Sequence, residues 1–82
     1  MKRNKELVRQ ILLAIENLPD NSYISQEDFP QFDPDLVAHH LFMLMEVGYV
    51  KAISSMRVNG QRDCKVNELT WEGHDYLDEI RA

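Results

Sequence analysis

Between Asp33 and Val50 the chain reads D-P-D-L-V-A-H-H-L-F-M-L-M-E-V-G-Y-V, a capped helix that stops at a glycine and turns straight into a strand. Asp33 is a strong N-cap, Pro34 suits the first helical position, and Asp35 adds negative charge where the helix dipole favours it. At about 100° per residue, Val37, His40, Leu41, Leu44 and Val47 fall on one side, and Asp35, His39, Phe42 and Glu46 on the other. Gly48 supplies the left-handed residue that ends many helices, and Tyr49-Val50 opens a β-prone run. One helix face must therefore meet a core, and the strand after it must pair within a few residues.

The pairing signal follows at once. Asn59-Gly60, set between alternating residues, is the preferred pair for a tight type I′ hairpin turn. A two-residue loop there places Val58 opposite Gln61, Arg57 opposite Arg62, Ser55 opposite Cys64, Ile53 opposite Val66, Lys51 opposite Glu68 and Val50 opposite Leu69. Near the base the register gives a buried Ile53/Val66 pair and a charge-matched Lys51/Glu68 pair. Near the tip it sets Arg57 against Arg62, and like charges directly opposite are destabilising.

Around this unit the spacing predicts three further elements. Leu7, Val8, Ile11, Leu12, Ile15 and Leu18 give a helix over about 4–18 with one broad buried face, stopped by Pro19-Asp20-Asn21. Leu13 lies off that face, where it meets another element, meets a second copy of the chain, or is simply exposed. Tyr23-Ile24 suits a bridge-like edge strand, and Ser25 with Asp28 suits a capping box on a short helical turn over 26–29. Phe29 and Phe32 plug the gap beneath the central helix. Thr70 caps a last helix, W-E-G-H-D-Y-L-D-E-I-R, on which Tyr76, Leu77 and Ile80 share a face with Trp71 at its start. The result is one α+β domain over residues 1–82, ordered helix, short strand, helix, helix, strand, strand, helix. That is the plan of a winged helix-turn-helix.

Composition, 44% hydrophobic and 28% charged, is that of a globular protein. No apolar run approaches the roughly 18 residues of a membrane helix, and M-K-R-N-K-E lacks a signal-peptide apolar segment behind it. With the single Cys64, these features predict a cytoplasmic protein with no internal disulfide. The net charge of −5 is unevenly spread. Lys2, Arg3, Lys5 and Arg9 against Glu6 make residues 1–9 basic, and Lys51, Arg57, Arg62 and Lys65 against Asp63 do the same for 51–65. Residues 10–50 carry only acids, and 66–82 carry five acids against Arg81. An anionic partner is met at the two basic zones.

The segment L-F-M-L-M-E-V-G-Y-V, a hairpin, and then L-T-W-E-G-H-D-Y-L resembles the frame of bacterial regulators in the MarR and PadR families. More narrowly, M-K-R-N-K-E-L-V-R-Q-I-L-L-A-I-E and L-T-W-E-G-H-D-Y-L-D-E-I-R resemble a family of small bacterial and prophage proteins catalogued as a domain of unknown function. This resemblance covers nearly the whole chain. It implies a winged helix in a phage-associated setting, without catalytic residues. The chain departs from MarR and PadR on the recognition helix, where it offers Asp35, His39, Phe42, Met43 and Glu46.

Two functional readings remain. In the first, a transcription-regulatory protein binds double-stranded DNA through Arg57, Asn59 and Arg62 on the wing, with Lys51, Lys65 and His39 in support. It acts as a homodimer through the first and last helices. The bland alternative is a hairpin that is basic for solubility alone. In the second, Phe42 and Met43, with Ala38, form an apolar patch rimmed by Asp35, His39 and Glu46 that takes a protein partner. Its alternative has Phe42 or Met43 folding back onto the short helix. His39, His40, His74 and Cys64 lack metal-ligand spacing, since adjacent helical histidines point about 100° apart. His40 suits a hydrogen-bonded place at the core edge, and His74 the helix surface or a contact with the hairpin. Cys64 on a strand has no helix N-terminus to activate it, and no phosphate loop or nucleophile elbow occurs. The sequence predicts no enzyme and no cofactor.

Overall fold

The computed structural model describes residues 3–19, 21–58 and 61–81, with backbone only for 54–58 and 61–63. Asp20 and the Asn59-Gly60 turn lie outside the described residues. The elements are helix α1 (Lys5–Glu16), a 3₁₀ turn (Gln26–Asp28), helix α2 (Pro34–Glu46), strands β1 (Val50–Val58) and β2 (Gln61–Leu69), and helix α3 (Trp71–Arg81). Among the described residues the architecture is α+β, with three α-helices around a two-stranded antiparallel hairpin.

Helix α1 is shorter than its periodicity predicts. Asn4 caps it, its side chain accepting the Leu7 N–H at 3.1 Å. At the other end the Asn17 backbone and side chain both donate to the Leu13 carbonyl, which closes the helix before Leu18. Leu18 still packs on the core as a half-buried residue, and so does Leu13, which therefore meets its own chain. Ile24 forms an isolated antiparallel bridge to Val66, with N–H to O distances of 2.9 and 3.0 Å. The Ser25–Asp28 capping box is present, the Ser25 N–H donating to Asp28 Oδ2 at 2.8 Å.

Helix α2 ends as its glycine predicts. Gly48 has φ +82°, its N–H donates to Met45 O at 3.1 Å, and the Tyr49 N–H donates to Leu44 O at 3.0 Å. Both bonds of a Schellman motif are thus in place. Val37, His40, Leu41 and Leu44 are buried. Val47 is not, being 62% exposed, because the helix ends at Glu46 and the chain turns away there.

The hairpin register agrees with the two-residue-loop reading at Val50/Leu69, Lys51/Glu68, Ser55/Cys64, Arg57/Arg62 and Val58/Gln61. It departs at the predicted Ile53/Val66 pair: Ala52 faces Val66, and Ile53 is 52% exposed. The reason is parity. Residues 50 and 53, like 66 and 69, are an odd number apart and cannot share a face of a regular strand. Two register shifts, with Ile53 extra on β1 and Asn67 extra on β2, let Cys64, Val66 and Leu69 all face the core. Ile53→Ala is therefore expected to change stability by less than about 0.5 kcal/mol, whereas Val66→Ala costs about 2 kcal/mol. Equal losses in urea titrations of the two variants would refute the bulged register.

Thr70 joins three segments. Its N–H donates to Tyr49 O at 3.0 Å, its hydroxyl donates to Gly48 O, and its Oγ1 accepts the Gly73 N–H at 3.1 Å. The first turn of α3 is thereby pressed onto the turn between α2 and β1, and the Tyr49 and Tyr76 rings stack with centroids 4.8 Å apart. Leu7, Ile11 and Leu12 of α1, Val37 and Leu41 of α2, Val66 and Leu77 complete a core with no solvent exposure.

Candidate nucleic-acid interface

The hairpin residues are placed by the register. Arg57 lies directly across from Arg62, and Ser54 across from Lys65. Directly opposed residues of an antiparallel pair have Cβ atoms roughly 4.5–5.5 Å apart, so this register roots two cationic residues at adjacent points on the sheet. Asn59 lies outside the described residues.

The two lysines of the same zone have partners within the chain. Lys51 Nζ is 3.5 Å from a Glu68 carboxylate oxygen. Lys65 Nζ sits 5.0 Å from the centroid of the Tyr23 ring, a cation–π contact. The Lys51–Glu68 pair is open to water and therefore weak.

In the N-terminal basic zone, Arg9 forms a two-point ion pair with Glu6. Hydrogen bonds from the Arg9 guanidinium, and after them from the Gln10 amide, hold the Glu6 carboxyl below its ordinary range, and the same pair raises Arg9. Arg3 and Lys5 take part in no ion pair among the described residues. Lys2 lies outside them.

The outer surface of α2 does not form the apolar patch read from its sequence. Ala38 is 2% exposed and belongs to the core, and Phe42 is half-buried against it. Asp35 and Glu46 are exposed, and His39 is half-buried beside His40. A groove of about 230 Å³ opens instead on the flank of α2, where Val8, Met43, Val47, Tyr49 and Tyr76 supply apolar walls and Arg3 and Glu46 are charged neighbours. His40 lines it from within. The sequence marked Met43 and Glu46, but not Tyr49, which the α2–β1 turn places here, nor Tyr76, which reaches this groove through the docking of α3.

His40 is fully buried, deeper than the core edge its sequence position suggests. Its Nε2 accepts the Asn4 N–H at 2.8 Å, and Nδ1 lies 2.8 Å from the Leu36 carbonyl. With Nε2 an acceptor, the proton belongs on Nδ1, which donates to Leu36. His40 is thus a strut between α1 and α2. His74 is exposed on α3, and Cys64 is buried. Among the described residues no group of three or more His, Cys, Asp or Glu side chains converges to hold a metal, and no helix is long and apolar enough to cross a membrane.

Comparison with known proteins gives a family. Residues 2–82 match the family described as "Hypothetical protein (DUF2513)". A protein of Haemophilus influenzae, described as uncharacterized, is 35% identical over 82 residues, covering 99% of this chain and 69% of its own length. No solved structure matches.

Proposed function

The chain belongs to the DUF2513 family of hypothetical proteins, and on that premise we propose that it is a small winged-helix protein of regulatory type that binds double-stranded DNA through its β-hairpin. The α1, bridge, 3₁₀ turn, α2, hairpin, α3 order supports the winged-helix assignment, with α2 in the recognition position and β1–β2 as the wing. The observation that carries the reading is Arg57 standing directly across from Arg62. Such a pair weakens the hairpin unless an anion lies between the two charges, and a phosphate backbone supplies one.

Contact is led by the wing and not by α2. Asp35 and Glu46 are exposed on α2 and oppose a phosphate, while His39 is the α2 side chain suited to a base edge or a phosphate. Lys51, Lys65 and Asn59 give secondary contacts, the lysines after releasing Glu68 and Tyr23.

Fluorescence anisotropy of a labelled duplex, titrated at several salt concentrations, tests this. Wild type is expected to bind with a log–log salt slope that flattens by about 0.9 for each phosphate contact removed, so Arg57→Ala/Arg62→Ala loses roughly 1.8. Equal affinity and slope in the variant would sink the wing as the contact, and no binding by wild type even at low salt would sink the DNA reading altogether.

A further inference from the structure

We propose that the groove on the flank of α2 is the interface through which two copies of this chain pair about a two-fold axis. This proposal does not depend on DNA binding.

The groove is too small for most organic ligands, whose pockets run to about 300 Å³ and more, yet large enough for apolar side chains. Beside it stands Val47, the residue that α2 leaves exposed where it ends, at 62%. The groove therefore carries both a hollow, between Met43, Tyr49 and Tyr76, and a knob. An indole lies nearby in the chain: Trp71, 79% exposed, follows Thr70, which is tied to Gly48 and Tyr49.

The charges identify the occupant. Arg3 adjoins Asn4, whose N–H is bonded to His40, so Arg3 sits at the His40 level of α2. Glu46 lies six residues further along the same helix, about 9 Å by helical rise. Neither takes part in an ion pair among the described residues. An apolar strip with a cation at one end and an anion at the other is complementary to itself in antiparallel apposition: a two-fold axis across it sets each Arg3 against the other copy's Glu46. An isologous contact requires that reciprocity. A basic or an acidic partner would satisfy only one end.

The test is a charge swap read by sedimentation velocity over micromolar to near-millimolar concentrations, with circular dichroism confirming that each variant is folded. Wild type is expected to dimerise. Arg3→Glu and Glu46→Arg should each weaken the dimer on the order of tenfold, since each homodimer then holds two like-charge contacts. Mixing the two variants is the decisive step. In the mixed dimer the glutamate introduced into one chain faces the arginine introduced into the other, and the unchanged Glu46 of the first faces the unchanged Arg3 of the second. Both contacts are again between opposite charges, so the mixture should recover dimer to within about twofold of wild type. Charges that act only within one chain give no recovery on mixing. A wild type that stays monomeric at near-millimolar concentration, single variants that dimerise unchanged, or a mixture no stronger than its components would each overturn the proposal.

Discussion

Replacing Gly73 with alanine is expected to cost about 3 kcal/mol or more and to lower the melting temperature by more than about 10 °C. The sign is the reverse of the usual one, because glycine inside a helix normally costs roughly 0.5–1 kcal/mol relative to alanine. Here a Cβ would lie 2.0 Å from the Tyr49 carbonyl oxygen and 2.9 Å from its carbon. That oxygen cannot move aside. It accepts the Thr70 N–H, and Tyr49 is held from the other side by its own N–H bond to Leu44. Relief requires lifting the N-terminus of α3, which breaks the Thr70 bonds and separates the stacked Tyr49 and Tyr76 rings. A domain of this size has roughly 4–12 kcal/mol in total, so the loss is a large share of it. Gly48→Ala is the matching control. It has a left-handed φ of +82° but nothing within 4 Å of a built Cβ, so only the backbone cost of about 1 kcal/mol applies. Thermal melts of both variants decide the matter, and a Gly73→Ala protein at least as stable as Gly48→Ala would show that α3 does not sit on Tyr49 in solution.

Gly48 and Gly73 also show which parts of the fold were legible in the sequence. Gly48 could be read locally: a glycine just past an amphipathic run is a helix stop, and the Schellman bonds are where that reading places them. Gly73 could not, since its reason lies 24 residues away on the carbonyl of Tyr49. The hairpin divides in the same way. Its turn dipeptide predicts the register of its two ends, but the double shift around Ile53 and Asn67 follows from the demand that Val66 and Leu69 share one buried face. Checking the parity of the four positions would have found the conflict, though not which residue was pushed out. At the candidate site, the opposed arginines followed from the turn alone. The partners of Lys51 and Lys65 were half legible, Glu68 by register and Tyr23 not at all, because the Ile24 bridge brings Tyr23 beside the strand. The groove was the least legible feature, since its walls come from α1, α2, the α2–β1 turn and α3 together.

His40 is where the second large effect is expected. Its imidazole is fully buried, and one ring nitrogen bonds the backbone N–H of Asn4, the residue that caps α1, while the other bonds Leu36 within α2. His40→Ala removes the ring and leaves both a cavity and an orphaned N–H, and is expected to cost about 3–4 kcal/mol. His40→Phe keeps an aromatic ring in the site but is bulkier and leaves the Asn4 N–H without an acceptor, so it is expected to cost about 1–3 kcal/mol, the lost hydrogen bond and the tighter packing together. His40→Gln can return an acceptor oxygen to that N–H and should be the mildest of the three. Urea denaturation at constant m gives the order directly as the order of midpoints. A His40→Phe protein as stable as wild type would mean that the bond to Asn4 contributes nothing, and the N-terminus of α1 would then be held by its apolar contacts alone. If the order holds, Arg3 next to Asn4 is fixed relative to α2 by a buried strut, and its charge is presented to the groove from a defined position and not from a frayed end.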